Sequence, residues 1–263
     1  MKDTSGQPAH AGATVAVVLC AGQGSRMGAA QNKMFLPLAG EPVATHAVRA
    51  FERSPEVDEI LVVAHPDEIE RVRAEILEPA HFHKVRGVIA GGASRHQSER
   101  CALDTLRERV NAGDIAIVLI HDGARPLTSS DDIARLIVTV RSLGASGGAL
   151  LATPLAPDEH LASIGADGVV TQVFAPEDFA RAQTPQGFDA RRLLAAYDRA
   201  ASVSFEGTDT ASVVEAAGGV VAITPGDDEN IKVTTPDDLL RAQAILRARA
   251  QAMGFPEVGG NDR

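Results

Sequence analysis

Short apolar segments alternate with longer amphipathic segments along most of this chain, and this alternation constrains the fold more than any other feature. The apolar segments are four to six residues long, rich in Val and Ile and poor in polar residues. Such segments are typical of strands in a parallel sheet that is covered on both faces. They are Val15–Cys20, Ile60–Ala64, Val85–Ala90, Ile115–Ile120, Ala149–Ala152 and Val220–Ile223.

The amphipathic segments have the length of crossover helices, so the chain predicts repeated β–α–β units. The predicted helices are Val43–Phe51, Asp67–Leu77, Ser98–Val110 and Asp131–Leu143, with a last helix from Pro236 to about Ala250. Either Asp131 or Ser130 is the expected N-cap of the fourth helix. The predicted fold is therefore an α/β, Rossmann-like sheet that is mostly parallel and flanked by helices.

The alternation of strands and helices is interrupted from Pro154 to Pro176, because this stretch is rich in turn residues around an Asp-Gly pair. We predict that it forms a β-arm that leaves the sheet as a lid or a subunit contact; a surface loop is the alternative. We expect a flexible tail over residues 1–13, one domain over 14–251 that includes the 154–176 arm, and a flexible tail over 252–263.

The charge of the chain limits its partners. A formal net charge of −10 over 263 residues argues against binding to nucleic acid or to an anionic membrane. No apolar run approaches about 18 residues, and no signal-peptide pattern is present, so we expect a cytoplasmic protein. Cys20 and Cys101 are too few for a disulfide framework or a Cys-based zinc site. An anionic ligand therefore needs a local group of cations and backbone N–H groups.

The first predicted strand runs directly into a glycine-rich loop, Ala21-Gly22-Gln23-Gly24-Ser25-Arg26-Met27-Gly28, which Lys33 follows. Ligands of open α/β sheets bind beyond the carboxyl ends of the strands, where glycines let backbone N–H groups approach phosphate oxygens. Met27 stands where the dinucleotide fingerprint needs Gly or Ala, and the Gly-Lys-Ser/Thr of a P-loop is absent. We interpret the loop as a phosphate-binding element; a glycine-rich turn without function is the alternative.

Together with Lys33-x-Phe35-Leu36-Pro37-Leu38-x-Gly40-x-Pro42, this loop resembles the signature of sugar-phosphate nucleotidyltransferases. Within that superfamily the chain is most similar to the 2-C-methyl-D-erythritol 4-phosphate cytidylyltransferase family. Further motifs of that family follow in order, and they are Gly91-Gly92-x-x-Arg95-x-x-Ser98, His121-Asp122-Gly123-Ala124-Arg125-Pro126, Gln183-Thr184-Pro185-Gln186-Gly187-Phe188, Thr208-Asp209-x-Ala211-Ser212 and Asn230-Ile231-Lys232-Val233-Thr234. Six ordered motifs are far more specific than any single loop.

The resemblance implies a GT-A-like nucleotidyltransferase fold and a set of site residues. The implied catalytic cations are Arg26, Lys33 and Lys232, around the α-phosphate of CTP and the departing pyrophosphate. The implied nucleotide-binding residues are Cys20, Ala21, Gly22, Gly24, Gly92, Ser98 and Asp122. Arg125, Thr184 and Thr208 would bind the phosphorylated alcohol. Mg²⁺ would be held mainly by the CTP phosphates, with Asp122 as its candidate protein ligand, and the place of the arm implies a homodimer.

The implied reaction transfers CMP from CTP to 2-C-methyl-D-erythritol 4-phosphate and releases pyrophosphate, a step of non-mevalonate isoprenoid synthesis. A phosphate monoester is already anionic, so fixed cations and Mg²⁺ suit this chemistry better than a general base. Taken singly, these residues have ordinary explanations: Asp122 as a turn cap, Lys232 and Arg125 as solvated cations, and Gln183-Thr184-Pro185 as a helix-entry turn. His81 and His83 lack a third ligand, so we expect them to be solvated.

The chain departs from the family pattern on the acceptor side. Asp158 occupies a position usually held by threonine, and Pro176 occupies that of an arginine which helps to bind methylerythritol phosphate. Arg181 is close in sequence, but we expect a helical segment to turn it elsewhere. Three alternatives therefore stay open. They are a transferase for another polyol phosphate such as ribitol 5-phosphate, a related transferase that uses another nucleotide (including a molybdopterin-type cytidylyl- or guanylyltransferase), and an inactive nucleotide-binding paralogue.

Overall fold

The computed structural model describes residues 12–22, 32–159 and 161–252. Its strands are β1 (Ala13–Leu19), β2 (Pro37–Leu38), β3 (Glu41–Pro42), β4 (Glu59–Ala64), β5 (Val85–Ala90), β6 (Ile115–Asp122), β7 (Gly147–Pro154), β8 (Leu161–Ile164), β9 (Val170–Phe174), β10 (Ala180–Asp189) and β11 (Val220–Pro225). Its α-helices are α1 (Val43–Arg53), α2 (Ile69–Val72), α3 (Arg95–Ala112), α4 (Ser130–Leu143), α5 (Ala190–Ser202), α6 (Thr210–Ala216) and α7 (Pro236–Ala252).

Seven strands form one sheet in the order β11-β7-β10-β6-β1-β4-β5. Within it, only β10 runs antiparallel to its neighbours. The predicted α/β fold with a mostly parallel sheet is confirmed. The apolar pattern does not predict β10, because its residues are largely polar or break strands, yet Gln183, Thr184 and Gln186 are buried in it. Strand β10 inserts between β6 and β7 and brings these polar side chains close to the carboxyl end of β6.

Two apolar layers cover the two faces of this sheet. Val15 and Val17 of β1 pack in a cluster with residues of α3 and α5, whereas Ala16 and Val18 pack in a second cluster with residues of α1 and α4. Successive side chains of a strand point to opposite faces, so a strand with helices on both faces must be apolar throughout. The continuous apolar runs of the sequence therefore indicate this three-layer arrangement.

The helix boundaries differ from the prediction in specific places. Ser129, rather than Asp131 or Ser130, is the N-cap of α4, and it exchanges hydrogen bonds with Asp132 in a capping box. Helix α3 begins three residues earlier than predicted, at Arg95, because the Ser94 side chain accepts a hydrogen bond from the backbone N–H of Gln97. None of the described helices combines the length and the apolar character that crossing a membrane requires.

The predicted arm is a two-stranded hairpin of β8 and β9, separate from the main sheet. Several of its apolar side chains are exposed to solvent: Ile164 is 67% exposed and Val173 is 65% exposed. Strand β1 begins at Ala13 and helix α7 ends at Ala252, close to the predicted limits of the domain. The two predicted tails lie mostly outside the described residues, so both tails and the domain limits stay predictions.

Candidate active site

A cleft of about 610 Å³ opens at the carboxyl ends of β1, β4, β5 and β6. Binding sites of open parallel sheets lie at this edge, because loops that leave neighbouring strands diverge there. We call it the first cleft. Its lining residues include seven of the predicted site residues, which are Ala21, Gly22, Lys33, Gly92, Ser98, Asp122 and Lys232. Two more predicted residues, Gly24 and Arg26, lie outside the described residues.

Asp122, the last residue of β6, lies between two cations. Lys232 Nζ is 2.6 Å from Oδ2 of this carboxylate, and Arg95 Nε is 3.2 Å from Oδ1. Burial alone would raise the pKa of Asp122, but Arg95 and Lys232, with Arg125, hold that pKa well below its usual range. The carboxylate is therefore ionised at neutral pH, and it fixes both cations at the edge of the cleft.

Arg95 lines the first cleft, and the sequence argument gives it no role beyond its place in a motif. Its Nη1 donates to Glu99 Oε1 at 2.5 Å and to Thr210 Oγ1 at 3.4 Å. Glu99 is 1% exposed and also accepts hydrogen bonds from the hydroxyls of Thr210 and Tyr197. Burial raises the pKa of Glu99, and its three donors counteract that rise. An arginine four residues before a glutamate, at the start of a helix after two glycines, is the signal that could have identified Arg95.

The segment after β5 is packed so closely that it requires glycine. A Cβ atom on Gly91 would lie 2.7 Å from Ser98 Oγ, and one on Gly92 would lie 2.4 Å from Gln97 Cβ. Ser98 accepts a hydrogen bond from the Gly92 N–H at 3.2 Å and donates to the Ser94 carbonyl at 2.9 Å. Ser98 thus holds the turn that exposes the Gly92 backbone to the cleft.

Lys33 and Lys232 are positioned by short connecting segments. Lys33 begins a 3₁₀ turn whose N-cap, Asn32, accepts a hydrogen bond from the Met34 N–H at 3.1 Å. Lys232 lies two residues after Asn230. Asn230 is fully buried, and its side-chain amide donates to the Thr184 carbonyl at 2.9 Å. The next residue, Val233, donates its N–H to the Ala124 carbonyl at 2.8 Å. Asn230 therefore fixes the backbone that carries Lys232, a role that the sequence argument does not give it.

Cys20 lies beneath the first cleft rather than on its surface. Its side chain is 1% exposed, and burial raises the pKa of the thiol to about 12, so the thiol is neutral. Its N–H donates to the Val63 carbonyl at 2.7 Å. The predicted contact of Cys20 with a nucleotide would have to use its carbonyl group.

A second cleft, of about 710 Å³, lies next to the first. Lys232 lines both clefts, so the two spaces meet at this side chain. The other charged lining residues of the second cleft are Arg125, Arg181, Arg241, Glu159, Asp228 and Asp238. Arg181 belongs to β10, so the expectation of a helical segment that turns it away is wrong. Pairing with β7 makes this segment a strand, which directs Arg181 into the second cleft.

The three residues assigned to the acceptor lie in different environments. Arg125 lines the second cleft, and its Nη1 donates to the Asn230 carbonyl at 2.5 Å. Thr184 is 5% exposed and lines neither cleft. Thr208 is exposed and also lines neither cleft, although the next residue, Asp209, caps α6. The structure therefore gathers one of these three residues at a cavity surface, and the roles of all three stay predictions.

The described residues contain no group of three or more His, Cys, Asp or Glu side chains that could hold a metal ion by themselves. Asp122 is the one carboxylate among the described residues that line the first cleft. A single ionised carboxylate fits Mg²⁺, which is commonly bound by one or two carboxylates together with substrate phosphates. The donor set therefore suits a magnesium ion that arrives with a nucleotide.

Glycine backbone and three cations, Lys33, Arg95 and Lys232, line one cleft at the carboxyl edge of a parallel sheet. This arrangement is typical of α/β proteins that bind a nucleotide phosphate. The family model described as 2-C-methyl-D-erythritol 4-phosphate cytidylyltransferase matches residues 14–248. The enzyme of that name from Geobacter metallireducens is 40% identical over 238 residues, which cover 90% of this chain and 99% of the relative. The chain belongs to the 2-C-methyl-D-erythritol 4-phosphate cytidylyltransferase family of nucleotidyltransferases.

Other relatives agree with this assignment. The enzyme of the same name from Acidobacterium capsulatum is 41% identical over 240 residues, 89% of this chain and 97% of the relative. The crystal structure of 4-diphosphocytidyl-2C-methyl-D-erythritol synthase from Anaerococcus prevotii superposes with a TM-score of 0.76 at 25% identity, covering 92% of this chain and all of that one. The Thermus thermophilus 2-C-methyl-D-erythritol 4-phosphate cytidylyltransferase superposes with a TM-score of 0.68 at 28% identity, covering 90% and 99%.

Proposed function

We propose that this protein transfers CMP from CTP to 2-C-methyl-D-erythritol 4-phosphate and releases pyrophosphate. The observation that carries the proposal is the position of Lys232, which lines both clefts in a chain of this family. A cation at the junction of two cavities can neutralise anions on both sides. The nucleotide would occupy the first cleft and the phosphorylated alcohol the second.

The proposed chemistry needs cations more than a base. The acceptor phosphate is already an anion, so its oxygen attacks the α-phosphorus of CTP without loss of a proton, while the bond to the pyrophosphate oxygen breaks. Negative charge spreads over the phosphoryl oxygens during this step, and fixed cations stabilise it. We assign this role to Lys33 and Lys232, with Arg26 as a predicted third cation.

The remaining assignments are part of the same proposal. Backbone groups of Ala21, Gly22 and Gly92, with Ser98, would bind the nucleotide, and Arg125 would bind the acceptor. Arg95 donates through Nε to Asp122 and through Nη1 to Glu99 and Thr210. Its Nη2 takes part in none of these three hydrogen bonds, so Nη2 can donate to a ligand oxygen. Mg²⁺ would be held by Asp122 and the CTP phosphates, where it would withdraw electron density from the phosphoryl oxygens.

Pyrophosphate release tests this proposal. Purified protein is incubated with CTP, Mg²⁺ and one acceptor at a time, and we expect release with 2-C-methyl-D-erythritol 4-phosphate. Release with ribitol 5-phosphate alone would show that the acceptor is different. Binding of CTP without release for any acceptor would favour an inactive paralogue.

A thermal-shift comparison identifies the nucleotide. A ligand that binds only the folded state raises the melting temperature, and we expect CTP to raise it more than GTP, ATP or UTP. A larger shift with GTP would favour a molybdopterin-type transferase and would contradict the proposed donor.

We also propose that the protein is a homodimer that acts in the cytoplasm, where CTP is available. The support for the dimer is the hairpin of β8 and β9, whose exposed Ile164, Val170 and Val173 form an apolar surface on an arm. Light scattering coupled to gel filtration should give twice the chain mass at micromolar concentration. Val173→Lys should shift the mass toward that of one chain. A monomeric wild-type protein would contradict the proposal.

A further inference from the structure

His121 makes two hydrogen bonds whose directions can be assigned. Its Nε2 lies 3.1 Å from the Arg125 carbonyl oxygen, and its Nδ1 lies 3.2 Å from Thr184 Oγ1. A carbonyl oxygen can only accept, so Nε2 must carry the proton. In the neutral ring Nδ1 is then the acceptor, and the Thr184 hydroxyl donates to it.

The Thr184 hydroxyl also accepts a hydrogen bond. The Asp122 N–H donates to Thr184 Oγ1 at 3.0 Å, and this hydroxyl is buried. A hydroxyl has one hydrogen to donate, and His121 receives it. Thr184 therefore has no donor left for a phosphate oxygen, since phosphate oxygens only accept. In the free protein, the hydrogen of the Thr184 hydroxyl is thus used within the protein.

The bonds form a directed series that begins and ends in one loop. The Asp122 N–H donates to the Thr184 hydroxyl, this hydroxyl donates to His121 Nδ1, and His121 Nε2–H donates to the Arg125 carbonyl. The loop of residues 122–125 starts with the carboxylate of the first cleft and ends with a cation of the second. Val233 bonds the carbonyl of the same loop at Ala124, so the segment that carries Lys232 depends on the loop position as well.

We propose that Thr184 and His121 are positioning residues that hold Asp122 and Arg125, and through the loop Lys232, in a fixed relation between the two clefts. The inference rests on the proposed function for its kinetic consequence. The hydrogen-bond series itself is a property of the free protein and can be tested without any substrate. Neither side chain reaches the surface of either cleft, so both act through their neighbours.

The first test is the tautomer of His121. In ¹⁵N-histidine-labelled wild-type protein, long-range ¹H–¹⁵N spectra should show His121 protonated at Nε2, with Nδ1 as a hydrogen-bonded acceptor. Thr184→Val removes the donor with little change in shape, and the Nδ1 resonance should move toward that of a free acceptor. A ring protonated at Nδ1 in the wild type, or an Nδ1 resonance unchanged by Thr184→Val, would overturn the proposal.

The second test separates positioning from binding. A displacement of about 1 Å at reacting groups costs roughly 10²-fold in rate, so Thr184→Val should lower kcat by about 10- to 100-fold. The KM values for CTP and for the acceptor should change by less than about threefold, because no contact with either is lost. Thr184→Ser, which restores the hydroxyl, should recover most of the turnover.

Thr224→Val is the matched control. Thr224 is 2% exposed on β11, and its hydroxyl donates to Thr139 Oγ1 at 3.0 Å, with neither residue in a cleft. This variant loses a hydrogen bond donated by a similarly buried threonine, and its kinetics should match the wild type. A kcat loss in Thr224→Val equal to that in Thr184→Val would reduce the role of Thr184 to general stability. A raised acceptor KM with unchanged kcat in Thr184→Val would instead show direct substrate contact.

The two proposals can fail separately. If wild-type protein releases no pyrophosphate with any acceptor phosphate, the proposed function fails. The tautomer spectra would still decide whether Thr184 donates to His121. If turnover is normal but the spectra show no such bond, only the positioning role fails.

Discussion

Among the described residues, four charged side chains line the first cleft and seven line the second, and the two clefts hold some of these charges in different ways. In the first cleft Asp122, with a side chain 12% exposed, bonds Lys232 and Arg95, and Arg95 is held in turn by the buried Glu99. In the second cleft Arg181, 44% exposed, pairs with Glu159, 40% exposed, and lies 3.7 Å from Asp228. Exposed ion pairs contribute about 0–1 kcal/mol to the stability of the folded state, and their groups exchange partners with water. Buried networks of ion pairs and hydrogen bonds keep one geometry. The Asp122 network thus fixes charge where we propose that bond making occurs, whereas the Arg181–Glu159 pair can adjust where we propose that the acceptor binds.

The largest expected effect concerns the thiol beneath the first cleft. With a pKa of about 12, Cys20 in the folded protein should react with iodoacetamide at pH 8 about 10³-fold more slowly than in urea, where an ordinary thiol pKa near 8.5 applies. Mass spectrometry of peptides after timed labelling measures both rates. Cys101 is half-buried and serves as the internal comparison. Rapid labelling of Cys20 in the folded protein would show that the floor of the cleft opens to solvent.

The next largest effect is expected at Lys232, the cation that lines both clefts. Lys232→Met keeps the length of the side chain and removes its charge, so turnover should fall by about 10²–10³-fold. The rate of pyrophosphate release at saturating CTP and acceptor measures this loss. Lys84→Met is the control, because Lys84 bonds the Ser54 carbonyl and lines neither cleft. Equal rates for Lys232→Met and wild type would remove the distinction between the clefts.

The smallest effect tests the adjustable charge of the second cleft. Arg181→Ala should raise the KM for the acceptor phosphate by about tenfold and leave the KM for CTP unchanged, because the lost cation is exposed. Arg247→Ala, an exposed arginine of α7 outside both clefts, is the control. A loss of kcat in Arg181→Ala with no change in the acceptor KM would place this arginine with the fixed charges instead.

The sequence predicts the parts of the molecule whose cause is local. Continuous apolar runs predict the parallel strands, and the glycine-rich loop after β1 predicts Gly22 at the edge of the sheet. The family resemblance implies Gly92 and Asp122 there as well, and the structure has all three at this edge. Strand β10 is not predicted, because its buried Gln183 and Gln186 are stable only through partners distant in sequence, such as Asp227 and Asp209. The spacing of Arg95 and Glu99 is visible in the sequence, but the contact of Arg95 with Asp122, 27 residues away, is visible only in the structure. Contacts between distant segments leave no periodic pattern in the chain.

Two parts of strand β10 have different surroundings: Arg181 lines the second cleft, whereas Thr184 bonds residues of β6. Its pairing with β7 is interrupted between Ala182 and Gln186, and within this interruption Gln183 bonds the Asp227 carbonyl and Thr184 bonds His121 of β6. A substitution at Arg181, which lies before the interruption, would change the second cleft, where we propose that the acceptor binds. We therefore expect the break in the ladder to keep such a substitution from displacing Thr184, which bonds His121 and Asp122.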